Sequence, residues 1–135
     1  MTDSAILLEG VHKNYGKVHA LCGLDLAVQQ GEIFGFLGPN GAGKTTTIRC
    51  MLDLIRPNSG SIRVLGIDPQ DAPQAVKAQV SYLPGDLQLD GGFTPRSFLQ
   101  YIRRLRMSNR SWTEIEALAE RIDLALDKNI KTLSQ

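Results

Sequence analysis

The stretch Gly38-Pro39-Asn40-Gly41-Ala42-Gly43-Lys44-Thr45 constrains this 135-residue chain more than any other feature. It fits G-x-x-x-x-G-K-[ST] at every fixed position, and with glycine at about 7% of residues a chance fit in a chain this long is on the order of one in a few hundred. Each residue type answers a physical need. Gly38, Gly41 and Gly43 free the backbone to curl its N–H groups around an anion. The apolar run Glu32-Ile33-Phe34-Gly35-Phe36-Leu37 before the loop reads as a fully buried strand. After the loop, Ile48, Met51, Leu52 and Ile55 sit at helical spacing, so a helix is expected from about Lys44 to Ile55. Strand, loop and helix in that order aim the positive end of the helix dipole into the loop. Lys44 can then reach the β- and γ-phosphates of a nucleotide, and the Thr45 hydroxyl can coordinate Mg²⁺.

The rest of the chain divides in character near Gly85. Before it, Ala5 to Val11 reads as a strand, and Leu24, Leu26 and Val28 alternate with Asp25 and Ala27 as a half-buried strand does. Gln29-Gln30-Gly31 and Pro57-Asn58-Ser59-Gly60 are turns, Ser61 to Leu65 a strand, and Gln74 to Ala78 a short helix leading into Val80-Ser81-Tyr82-Leu83. From Leu87 onward the pattern is helical. Gly91-Gly92 is a loop, and Thr94-Pro95 is an N-cap followed by proline at the first helical position. Phe98, Tyr101, Ile102 and Leu105 fall on one face of that helix. Ser111 and Glu114 have capping-box spacing and open a further helix carrying Ile115, Leu118 and Ile122.

Composition closes off other classes. Fifteen basic against fourteen acidic residues leave a net charge of +1, which argues against a nucleic-acid partner. The chain is 42% hydrophobic and 21% charged, as expected of a folded domain. No apolar run approaches the roughly 20 residues that cross a bilayer, and Met1-Thr2-Asp3-Ser4 does not open a secretory signal. Cys22 and Cys50 read as small buried residues of a reducing compartment. His12 and His19 read as polar residues near a strand edge. Arg103, Arg106 and Arg110 form a basic cluster, read either as a solvated helix face or as a surface toward a membrane-embedded partner.

Three features beyond the glycine-rich loop carry a family resemblance: Lys13-Asn14-Tyr15-Gly16 upstream, the loop's filling Pro39-Asn40-Gly41-Ala42 followed by Thr46 and Thr47, and the final Thr132-Leu133-Ser134-Gln135. Together they resemble the ATP-binding subunit of ABC transporters, over essentially the whole chain. The resemblance implies an α/β P-loop NTPase core with N-terminal antiparallel strands, followed by part of an α-helical subdomain, with an incomplete sheet. Residues 1–85 would be the ATP-binding part and 86–135 the helical subdomain. The family would make Tyr15 the adenine-stacking aromatic, and Gly38, Pro39, Asn40, Gly41, Ala42, Gly43, Lys44, Thr45 and Thr46 the Walker A motif around Mg·ATP. Tyr82-Leu83-Pro84 would lead into the Q-loop, and Leu133-Ser134-Gln135 would begin the signature motif. The Leu83-Pro84-Gly85-Asp86 version is similar to that of bacterial drug, polyketide or polysaccharide exporters. Gly85 stands where the family has a side chain for Mg²⁺ and water, and the adjacent Asp86 is the substitute candidate beside Thr45 for the metal.

No run of four apolar residues followed by Asp-Glu occurs, and both histidines, His12 and His19, precede the glycine-rich loop, so the Walker B carboxylates and the switch histidine of the family are missing and no catalytic residue is expected within the chain. The resemblance therefore implies an N-terminal fragment of a longer protein. That protein would pair with a second nucleotide-binding subunit and a membrane-spanning permease on the inner face of a cell membrane, and hydrolyse ATP to drive transport, most simply export. The fragment alone is expected to bind nucleotide weakly, not to turn over, and to aggregate along the open edge of the 33–37 strand. The alternatives are a soluble non-transport ABC-type ATPase and a non-catalytic nucleotide-binding module.

Overall fold

A computed structural model describes residues 4–85 and 92–130 of the chain. The chain forms two compact units, Met1–Tyr82 and Leu83–Gln135. The class is α/β, as expected, with antiparallel strands first and helices after.

In the first unit, β1 (Ser4–Tyr15) and β2 (Val18–Gln29) form a hairpin over the two-residue turn Gly16-Lys17. β3 (Ser59–Val64) joins the other edge of β1, giving the antiparallel order β2-β1-β3. Leu8 lies opposite Leu26 on one side and Ile62 on the other. Leu8 and Val11 are both buried although three positions apart, which strict alternation forbids. An extra residue in β1 resolves this: Leu8 pairs with Leu26 but Val11 with Leu24, and Gly10 in the bulge takes φ 54° and donates its N–H to Asp25 Oδ1 at 2.6 Å. A second extra residue in β2, Gly23 at φ 83°, restores the register and turns Leu21 inward.

Against this sheet pack α1 (Lys44–Met51), through Cys50, and α2 (Pro73–Gln79), through Val76. Thr47 is buried too, and its hydroxyl donates to the Gly43 carbonyl at 2.9 Å, so no polar group is stranded there. α1 ends four residues earlier than the expected Ile55. Asp53 takes the left-handed position usual for glycine, at φ 47°, and Leu54 donates back to the Arg49 carbonyl at 2.9 Å, closing the helix.

Two further expectations are corrected. Residues 32–37 are not a buried strand: Ile33 and Leu37 are 101% and 91% exposed. An apolar strand is buried only when strands flank it and layers cover it, and among the described residues no strand pairs with this segment. Cys50 is buried, and burial pushes its thiol up, but Cys22 is exposed. Cys22 follows the inward-facing Leu21 on β2 and therefore points to the other face.

The second unit contains α3 (Pro95–Leu105) and α4 (Trp112–Arg121). Both begin with a capping box. Thr94 accepts from the Ser97 N–H at 3.2 Å while Ser97 Oγ accepts from Thr94 N–H at 3.0 Å. Ser111 accepts from the Glu114 N–H at 3.2 Å, and Glu114 Oε2 from the Ser111 N–H at 2.7 Å. Arg96 joins distant segments: it donates to Asp127 at 2.7 and 3.0 Å and to Glu116 at 2.7 Å, with its guanidinium 5.5 Å from the Trp112 ring centroid. Phe98 and Tyr101 pack on Phe93, while Ile102 lines an apolar groove between the helices, with Arg103 and Arg106 also along it. Arg103 donates through Nε to the Arg110 carbonyl at 2.8 Å, so one member of the basic cluster serves the turn between α3 and α4.

Candidate phosphate-binding site

Residues 38–44 wrap around a single cation. Lys44 Nζ donates to the carbonyl oxygens of Gly38, at 2.5 Å, and Pro39, at 2.7 Å, and the Ala42 N–H closes a turn on the Pro39 carbonyl at 3.2 Å. Gly43 is the N-cap of α1, in the left-handed conformation at φ 85°. A Cβ there would lie 2.5 Å from the Ala20 carbonyl oxygen and 2.7 Å from Leu21 Cδ2, so glycine is required both by the dihedral and by the closeness of β2.

The first turn of α1 has neither a side-chain cap nor an acidic residue. Both would ordinarily stabilise a helix start, by satisfying the leading N–H groups and by complementing the dipole. Their omission leaves those amides and the positive end of the helix turned toward a cleft of about 240 Å³. Asn40 to Thr46 form one side of it, and Val18, His19 and Ala20 of β2 form the other. A cradle of amides beside an ammonium group suits an oxyanion carrying several negative charges.

The structure brings together Asn40, Gly41, Ala42, Gly43, Lys44, Thr45 and Thr46 at this cleft, with Gly38 and Pro39 held by Lys44. Tyr15 is not in the wall of the cleft; it ends β1, 48% exposed, paired with the wall residue Val18. Asp86 and Leu133, Ser134 and Gln135 lie outside the described residues. Of the β2 wall, Val18 to Ala20, the sequence marks only His19, and that as a polar residue near a strand edge. The signal for it is the short turn at Gly16-Lys17, which returns the chain from Tyr15 straight to Val18. His19 is held within the hairpin, its Nδ1 2.9 Å from Asn14 Oδ1.

A glycine-rich loop folded around Lys44 and running into the N-terminus of α1 defines a protein of the P-loop nucleotide-binding class. The ABC transporter family model matches residues 21–135, and the chain belongs to that family. It is 41% identical, along its whole length, to the daunorubicin resistance ATP-binding protein DrrA3 of Streptomyces coeruleorubidus, of which it covers 43%. It is 41% identical over 73% of its length to the Nod factor export ATP-binding protein I of Paraburkholderia xenovorans, covering 33% of that protein. The chain thus spans less than half the length of these relatives. Among solved structures it resembles an ATP-binding subunit of an ABC transporter, with TM-score 0.76 and 25% identity over 93% of this chain and 54% of the other. It also resembles a bacterial Atm1-family ABC exporter with ATP bound, with TM-score 0.73 and 26% identity over 89% of this chain and 21% of the other. No helix among the described residues is long and apolar enough to cross a membrane.

Proposed function

We propose that this chain is the Mg·ATP-binding part of a transport ATPase, and that the whole protein hydrolyses ATP to power export. One observation carries the binding reading: the uncapped, acid-free start of α1, preceded by a loop folded around Lys44 and walled by β2. In this reading the amides of residues 41–46 and Lys44 hold the phosphates, and Tyr15 carries the adenine. Thr45, whose side chain is exposed at the cleft, offers its hydroxyl to Mg²⁺. The metal supplies charge neutralisation on the phosphate oxygens when bound. Asp86 is the second candidate for the metal. Leu133, Ser134 and Gln135 would face the nucleotide of a second copy across a dimer.

The names of the relatives, a drug-resistance protein and a Nod factor exporter, support export as the direction. The partners are then a membrane-spanning permease and a second nucleotide-binding subunit, at the inner face of the membrane. Residues 1–135 contain no apolar run ending in Asp-Glu, so by themselves they bind without turnover. Equilibrium titration with Mg·ATP tests the binding step. Lys44→Ala removes charge-assisted hydrogen bonds worth about 1.5–3 kcal/mol each, and so weakens binding at least tenfold. Saturable binding indifferent to that substitution ends the reading.

A further inference from the structure

Lys13 does not line the phosphate cleft, yet its position is fixed from two sides. Its ammonium lies 5.3 Å from the centroid of the Tyr15 ring, within the range of a cation–π contact. The same Nζ donates to the Arg56 carbonyl at 2.6 Å. The segment that presents this carbonyl is itself fastened to β1: Asn58 N–H donates to the His12 carbonyl at 2.8 Å, and Asn58 Oδ1 accepts from Asn14 N–H at 2.7 Å. That segment follows α1, whose opposite end forms the phosphate loop.

An aromatic ring at the end of a hairpin and half exposed to water has two faces for a base to stack on, and a side chain free to rotate. Lys13 removes both freedoms. We infer that Lys13 is a positioning residue for the nucleotide base: its ammonium takes one face of Tyr15, holds the ring, and leaves the opposite face as the platform for adenine. The inference rests on the reading of Tyr15 as the base platform. The advantage is pre-organisation, since a ring already held loses less freedom when a base docks on it.

A double-mutant cycle on the full chain tests this, with two probes, Mg·AMP-PNP and Mg·tripolyphosphate, the second lacking a base. Lys13→Met should weaken AMP-PNP binding about two- to fivefold, the size of an exposed cation–π contact. It should leave tripolyphosphate binding unchanged, which also shows that the loop is still folded. Lys13→Arg, which keeps the cation, should restore AMP-PNP affinity. In a Tyr15→Ala background Lys13→Met should have no further effect. Equal weakening of both probes, tighter AMP-PNP binding, or no change in Lys13→Met overturns the inference while Tyr15→Ala still weakens AMP-PNP. Undiminished AMP-PNP binding by Tyr15→Ala overturns the base-platform reading and this inference together.

Discussion

In Met1–Tyr82 the deeply buried side chains come from far apart in sequence: Leu8 and Val11 from β1, Cys50 from α1, Ile62 from β3 and Val76 from α2. In Leu83–Gln135 the helices α3 and α4 bury only Pro95 and Ala119 among their described residues, and polar contacts do much of the joining, with the two capping boxes and the Arg96 cluster prominent. The first unit thus gets its geometry from apolar burial and close backbone approach, which are stiff and indifferent to pH. The second gets it from hydrogen bonds at its surface, individually weak and sensitive to protonation. A phosphate loop gains from the stiff arrangement, because its amides must already point inward when the ligand arrives.

The sharpest way to break this contrast is at Gly60. A Cβ there would fall 2.4 Å from the Gly10 carbonyl oxygen, where β3 crosses the β1 bulge, and Gly60 has φ 92°. The obstacle is backbone, so no side chain can swing aside. Gly60→Ala should cost about 3 kcal/mol, combining overpacking with an unfavourable dihedral. Denaturant unfolding followed by far-UV circular dichroism measures it, and a loss below about 1 kcal/mol shows the bulge to be less tightly packed than described.

Local signals were legible in the sequence and non-local ones were not. The glycine-rich loop, the Thr94-Pro95 helix start and the Ser111–Glu114 box each depend on residues a few positions apart, and each is found where the spacing puts it. The end of α1 escaped because Asp53, not glycine, takes the left-handed place. The 32–37 segment escaped because apolar composition describes a capacity for burial, and burial itself depends on neighbours no local pattern encodes. The Arg96–Asp127 pair spans 31 positions, and the Val18 to Ala20 wall depends on how the hairpin folds back over the loop. Neither leaves a periodic trace.

On the polar side of the comparison, Ser111→Ala removes the side-chain acceptor of the α4 capping box and should destabilise the helical unit by about 1 kcal/mol. Trp112, the single tryptophan, is the first residue of that helix and reports its unfolding by fluorescence. Ser111→Asp, which keeps an acceptor beside the helix N-terminus, should recover most of the loss. If alanine and aspartate are equally damaging, the cap is not what holds α4 in place.

The smallest expected effect is also the most selective. Hydrogen bonds from Arg96 hold the Asp127 and Glu116 carboxyls below their ordinary values, and those from the Ser111 backbone and hydroxyl do the same for Glu114. In the unfolded chain these bonds are absent, and the groups take up protons near 3.8 for Asp and 4.5 for Glu. Between those values and the lower folded ones the unfolded state binds more protons, so acid favours unfolding. The stabilisation is therefore complete above about pH 5 and fades as the pH falls through the folded values. Melts followed by Trp112 fluorescence should show a midpoint constant from pH 7 to about 5 and falling below it, by less than the Ser111→Ala shift. Arg96→Met should flatten the part of that fall due to Asp127 and reduce the part due to Glu116, which Trp112 also holds down, while leaving the part due to Glu114. An acid limb unchanged by Arg96→Met would mean that the guanidinium is screened by water, and that apolar packing holds the helical unit as it holds the sheet.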